Sequence, residues 1–122
     1  MGKEKKPLES AEELNKKGNG FYDKKEYHKA IEFYEKAIKA DAAYVWAYYN
    51  LGLAHKNLGD YEKARENMEK AIQLDPQYTD AINQLGNLYY DQREYEEAEK
   101  CYSRVQALNP TLHYVYYNLM LI

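Results

Sequence analysis

The chain has 122 residues, 45% hydrophobic and 30% charged, with a formal net charge of −3. That length supports one domain with a real core, and the mildly acidic balance argues against nucleic acid or an anionic membrane as the main partner, since both reward a basic surface. Tyrosine is abundant, 15 residues against one Trp and two Phe, and a tyrosine buries a large ring while keeping a polar handle, which suits surfaces that are alternately wet and covered.

The opening "MGKEKKPLES" lacks the apolar core of a signal peptide. Gly2 is followed by Lys6 where a myristoylation signal wants Ser or Thr. Residues 1–10 are expected to be a solvated, disordered lead-in. Ser10 with Glu13 then fits a capping box at the first helix start. Leu14, Gly18 and Phe21 follow at helical steps on one stripe, and Tyr27, Ala30, Ile31, Tyr34, Ala37 and Ile38 form a second. Each half is too short to be stable alone, so each must bury its stripe on a neighbour.

The same pattern returns every 34 residues: Gly18, Gly52 and Gly86; Tyr27, Tyr61 and Tyr95; Ala30, Ala64 and Ala98; Pro76 and Pro110. Breaks such as "LGDY" (58–61) join the halves, so the halves should pack as antiparallel pairs. The small residues suggest that Gly18 faces Ala30, Gly52 faces Ala64 and Gly86 faces Ala98, with the two backbones close. Ala37 and Ala71 would make room for the next period. No strand pattern bounded by turn signals occurs. The fold expected is all-α, a stack in which each period contacts only its neighbours.

This pattern resembles the tetratricopeptide repeat (TPR) family, whose signature runs bulky residue, Leu-Gly, aromatic, Ala, aromatic, Ala and Pro. The first repeat, 11–44, carries Leu14, Gly18, Phe21, Ala30, Tyr34 and Ala37. The second, 45–78, carries Tyr48, Leu51, Gly52, Ala64, Ala71 and Pro76. The third, 79–112, carries Ile82, Leu85, Gly86, Tyr89, Ala98, Tyr102 and Pro110. Residues 113–122 read as a partial fourth repeat or capping helix. Ala42 stands where Pro is usual, so a looser first-to-second turn is expected. Lys17 replaces a Leu, His55 and Met68 replace aromatics, and Val105 replaces an Ala.

The resemblance implies a right-handed superhelical solenoid of antiparallel helix pairs, with the first helix of each pair lining a concave groove. The residues expected there are Asn15, Asn19 and Tyr22 in the first repeat, then Trp46, Tyr49, Asn50 and Leu53 in the second. The third repeat adds Asn83, Gln84, Asn87 and Tyr90, and the closing segment adds Tyr114, Tyr117 and Asn118. A carboxamide both donates and accepts, so an amide series can grip the main chain of an extended peptide without reading its sequence. Exposed groove aromatics make good hot spots. The function implied is a scaffold or adaptor that binds a peptide or helix of a partner protein. The alternative for the same residues is ordinary scaffold packing, with Asn50 linking adjacent helices.

Some family members hold the C-terminal carboxylate of heat-shock chaperones with Lys and Asn in the first repeat, Asn in the second, and Lys and Arg in the third. Asn19 and Asn50 fit that clamp. Asn15, Asp80 and Gln84 stand where the Lys, Lys and Arg would be. An acidic Asp80 would repel a carboxylate, so chaperone-tail binding is disfavoured.

No catalytic arrangement emerges, so no enzyme activity, cofactor or metal is expected. His28, His55 and His113 share no metal-ligand spacing. Cys101 has no partner for an internal disulfide, which points to a reducing, cytoplasmic setting. No apolar run is long enough to cross a bilayer, so no direct membrane insertion is expected. Glu96, Glu97 and Glu99, with Lys100 and Arg104 at helical spacing, read as a solvated, ion-paired face.

The ending "HYVYYNLMLI" echoes "VWAYYNLGLA" (45–54) in register. Its inner side should cover the third repeat. Its outer side, around Tyr116, Leu119 and Met120, is expected to meet another chain or the rest of a longer protein. Self-association through this segment, giving a homo-oligomer, is therefore a second functional reading. A third is the recognition part of a larger enzyme.

Overall fold

The structure, a computed structural model, describes residues 8–110 and 119–121. Among them are six helices and no strand: α1 Ala11–Asp23, α2 Tyr27–Ala40, α3 Val45–Asn57, α4 Tyr61–Leu74, α5 Thr79–Asp91 and α6 Tyr95–Leu108. They pack as α1 with α2, α3 with α4 and α5 with α6. The pairs are joined where α2 meets α3 and α4 meets α5, and α1 also touches α3. This is the helical repeat solenoid that the 34-residue period implies. None of the helices is long and apolar enough to cross a membrane.

The first helix starts as the sequence indicates. The Ser10 hydroxyl accepts from the Glu13 amide at 3.1 Å, and the Glu13 carboxylate accepts from the Ser10 backbone at 3.3 Å, which completes the capping box. Before it, Leu8–Ser10 are irregular, and Glu9 pairs with Lys17 at 2.7 Å.

Inside each pair the turn uses one residue in the left-handed region: Lys25 at φ 62°, Gly59 at φ 80° and Arg93 at φ 63°. These are the same repeat position. The next residue's amide then reaches back to close the helix, Glu26 to the Phe21 carbonyl, Asp60 to His55 and Glu94 to Tyr89, at 2.8–2.9 Å.

The glycines that recur every 34 residues do not serve the purpose expected of them. The atoms over Gly18 belong to Tyr34 rather than Ala30: a Cβ there would lie 2.5 Å from Tyr34 Cε1. Met68 covers Gly52 and Tyr102 covers Gly86 in the same way, each 2.7 Å from such a Cβ. The glycine removes a side chain so that a large one from the opposite helix can lie on its backbone. Tyr34, Met68 and Tyr102 are all fully buried, and burying a side chain like Met68 is worth about 2 kcal/mol. The alanines are buried too, and act as spacers.

The turn between the first and second repeats is not looser for lacking proline. Asp41 accepts the Ala43 amide on Oδ1 at 2.9 Å and the Tyr44 amide on its carbonyl at 3.1 Å. Asp75 makes the matching bonds to Gln77 and Tyr78 at 3.1 Å beside Pro76. An aspartate side chain can fix this turn by itself. Tyr48 adds a 2.9 Å bond to the Ala42 carbonyl. Arg104 also departs from expectation. Its guanidinium reaches the Pro76 carbonyl at 2.7 Å, tying α6 to the preceding repeat, and Lys100 alone pairs with a carboxylate of that run, Glu97 at 3.2 Å.

Of the closing segment, Tyr114, Tyr116, Tyr117 and Asn118 lie outside the described residues. Leu119 packs on the cluster of Ile82, Ala98, Tyr102 and Val105. That puts it on the inner side of the segment, not the outer side assigned to it from sequence. Met120 is 82% exposed.

Candidate functional site

The first helices of the three pairs, α1, α3 and α5, form one continuous layer. Side chains bridge it from repeat to repeat. Asn50 of α3 donates to Asn15 of α1 at 2.9 Å, and Asn57 donates to the Tyr22 hydroxyl at 2.8 Å. Lys56 reaches forward to Gln84 of α5 at 3.4 Å. Because α1, α3 and α5 occupy equivalent repeat positions, they run the same way. One edge of the layer therefore carries their N-terminal ends, with Glu12, Trp46 and Asp80. The other carries their C-terminal ends, with Asp23, Asn57 and Asp91.

The candidate amides fall into distinct settings. Asn15 is only 7% exposed, and its carbonyl oxygen is taken by Asn50. Asn19 is half-buried and accepts a 2.7 Å bond from the Tyr34 hydroxyl, and Asn87 accepts a 2.6 Å bond from Tyr102. Each of these two bonds fixes the carboxamide by its oxygen. The amide N–H₂ of Asn19 and of Asn87 is left with no partner among the described residues. Leu53 holds the same position in the second repeat and packs on the cluster that contains Met68. Gln84 is the acceptor for Lys56, and Asn83 is half-buried beside it in α5.

The aromatic candidates also differ. Trp46 is 54% exposed and meets Tyr44 edge-on at 5.2 Å. Tyr49 lies against Tyr78 at 5.1 Å. Tyr22 and Tyr90 make matching edge contacts with Tyr27 and Tyr95, both at 5.3 Å. Tyr44 and Tyr78 are the site residues that reading by helix face misses. They sit in the connections just before α3 and α5, and their signal was a 34-residue spacing outside any helical stripe.

Burial sets the titration of these phenols. It pushes Tyr34 and Tyr78 well above the ordinary tyrosine value, and Tyr102 up to about 12. Tyr44 is raised by burial first and by the nearby Glu12 carboxylate second. For Tyr78 the neighbours Tyr49, Asp80 and Asp75 add to burial. Burial raises Tyr22 as well, against the opposing bond from Asn57. All these groups are neutral near pH 7, so they offer rings and hydroxyls rather than charge.

The other face holds a cleft of about 320 Å³ between α4, α5 and α6, lined by Ile72, Ile82, Leu85 and Cys101 among others. Burial pushes the Cys101 thiol up to about 11, which suppresses the thiolate. Among the described residues, no three His, Cys, Asp or Glu side chains are grouped to hold a metal.

Two family models match the chain: one described as "TPR repeat" over residues 18–59, and one as "Tetratricopeptide repeat" over 57–119. A search of curated protein sequences found no match. Solved structures similar to this chain include the first TPR of Spaghetti (RPAP3) bound to HSP90 peptide SRMEEVD. That match has 29% identity and a TM-score of 0.87, and covers 91% of this chain and 88% of that one. The second TPR domain of human RPAP3, in complex with HSP70 peptide SGPTIEEVD, matches at 29% identity and TM-score 0.85 over 91% and 92%. The Arabidopsis OM64 TPR domain matches at 26% and 0.85, also over 91% and 92%.

Proposed function

Because the chain belongs to the tetratricopeptide-repeat family, we propose that it is a protein-interaction module that holds an extended segment of a partner protein against the α1–α3–α5 face. The observation that carries this reading is the pair Asn19 and Asn87. Each is clamped by a tyrosine hydroxyl from the helix behind it. Each therefore presents an oriented amide donor that needs no rearrangement to donate to a main-chain carbonyl. Trp46 supplies an exposed ring on the same layer, suited to a partner side chain. The similar domains of RPAP3 hold peptides, which supports the reading. The chemistry that would hold the acidic ends of those peptides differs here, since Asp80 and Gln84 stand where the family clamp has Lys and Arg.

The test is a display selection of random peptides on the folded domain, with Trp46→Ala as the comparison. Trp46 is exposed and its removal leaves the core intact. Wild type should enrich peptides whose affinity falls roughly tenfold or more on the variant, as for an aromatic hot spot. Failure to enrich any peptide, or enrichment indifferent to Trp46 and to Asn87→Ala, would refute the reading.

A second reading, self-association, is favoured by the exposure of Met120 and Leu121. Sedimentation should then show concentration-dependent oligomers that Met120→Lys abolishes. A monomer at all concentrations would dismiss it.

A further inference from the structure

Resting on the peptide-binding reading, we propose that the segment this face takes is basic: an extended peptide that brings lysine or arginine side chains to the aromatic rings and unpaired aspartates along the two edges of the α1–α3–α5 layer.

Charge complementarity is the first argument. The three helices of the layer carry Glu12, Glu13, Asp23, Asp80 and Asp91 against Lys16, Lys17 and Lys56, and no arginine, while Lys24, Lys25 and Arg93 stand in the turns that follow α1 and α5. The three lysines are engaged within the protein, Lys56 with Gln84 at 3.4 Å, Lys17 with Glu9 at 2.7 Å and Lys16 with Glu12 at 3.8 Å. Asp23, Asp80 and Asp91 are exposed and make no ion pair with any described residue. The charge left on the three helices is negative.

The second argument comes from helix physics and is independent of the first. Asp23 and Asp91 are the last residues of α1 and α5, and neither helix has a basic residue in its last turn. The C-terminal end of a helix carries negative partial charge, so a carboxylate there is repelled and a cation is welcome. In α3 the same stretch reads His55, Lys56 and Asn57, the arrangement that helix stability favours. The two aspartates thus oppose local stability, and a bound cation at each would relieve the opposition.

The third is the company these carboxylates keep. Trp46 lies edge-on to Tyr44, near which Glu12 sits. Tyr78, tilted against Tyr49, has Asp80 as a neighbour. Tyr22, edge-on to Tyr27, has Asp23 as a neighbour. A ring face beside a carboxylate is suited to an ammonium or, better, a guanidinium, which is drawn by the ring quadrupole and the charge together.

The experiment reads the charge of the peptides enriched in the display selection, then measures the best of them by fluorescence anisotropy. Enriched peptides should carry a net positive charge. Their affinity should fall as salt rises from about 0.05 to about 0.5 M. The double variant Asp23→Asn/Asp91→Asn should bind them roughly fivefold more weakly, while its melting temperature stays level or rises. That combination separates a ligand contact from a structural role, because a structural loss would lower the melting temperature. Enrichment of neutral or acidic peptides, still dependent on Trp46, would overturn the basic preference and leave the groove reading standing. Enrichment of nothing would remove both.

Discussion

Tyr34 donates a 2.7 Å hydrogen bond to Asn19, and two repeats later Tyr102 makes the same bond to Asn87 at 2.6 Å. The middle repeat has Met68 and Leu53 at these positions, and both are apolar. The two positions change together because each polar member needs the other. A buried phenol without an acceptor, or a half-buried carboxamide without a donor, costs about 1–3 kcal/mol.

The coupling can be measured in the middle repeat. Leu53→Asn alone should destabilise by about 1–3 kcal/mol, since the new amide meets a methionine. Leu53→Asn with Met68→Tyr should recover most of that loss, because Gly52 leaves the same bare backbone that receives the ring at Gly18. Urea unfolding of the singles and the double would give a coupling energy of about 1 kcal/mol. A coupling near zero would mean that the two positions vary independently.

The period glycines should not respond alike to alanine. At Gly18 and Gly86 a Cβ would strike a tyrosine ring, at 2.5 and 2.7 Å; at Gly52 it would strike the Cε end of Met68 at 2.7 Å. A methionine tip can swing away and a packed ring cannot. Gly18→Ala and Gly86→Ala should therefore cost about 1–3 kcal/mol from overpacking. Gly52→Ala should be nearly neutral, since alanine is favoured over glycine in a helix by about 1 kcal/mol. Melting temperatures for the three variants would show the order, and equal losses would refute it.

The three turns give the opposite experiment. Lys25 and Arg93 hold the left-handed conformation that Gly59 adopts without a Cβ. Lys25→Gly and Arg93→Gly should each stabilise by about 1 kcal/mol, and Gly59→Ala should destabilise by a similar amount. Chemical denaturation midpoints check all three. Destabilisation by both glycine substitutions would show that the lysine and arginine side chains hold these turns.

Alkaline pH should unfold the domain by a defined route. Tyr34, Tyr78 and Tyr102 all titrate above the ordinary value of 10.0, Tyr102 at about 12. The folded state therefore holds these protons more tightly than the unfolded chain does. The stability is fully present below pH 10.0 and is lost as pH rises through the folded values. Urea midpoints should hold steady up to about pH 9 and fall steeply beyond about pH 10, with a shallower fall in Tyr102→Phe. A midpoint independent of pH over that range would contradict the burial assigned to these rings.

Much of this architecture is legible in the sequence because one physical requirement, burying two short stripes on each other, repeats at a fixed interval. Gly18, Ala30 and Ala37 mark the pair interfaces before any coordinates. What stayed hidden depends on side-chain reach rather than on period. Asn15 reads as a groove amide by its helical face, yet α3 packs close enough to bury it and supply Asn50. Leu53 reads as an exception in an amide row, yet it is the apolar half of the Met68 pair. Comparing positions 19, 53 and 87 with 34, 68 and 102 would have shown the paired change, Asn-Leu-Asn with Tyr-Met-Tyr. Ala42 hid a turn that Asp41 makes unaided. Tyr44 and Tyr78 lie between helices, where no stripe exists to place them.

The central claim is that the α1–α3–α5 layer is the binding surface. Amide and indole chemical shifts of the ¹⁵N-labelled domain, followed as a peptide from the selection is added, test it most directly. The account predicts saturable shifts at the Trp46 indole, at the side-chain amides of Asn19 and Asn87, and at Asp80 and Asp91. The α2, α4 and α6 signals should stay nearly still. Shifts confined to α2, α4 and α6, or to the cleft around Cys101, would contradict it.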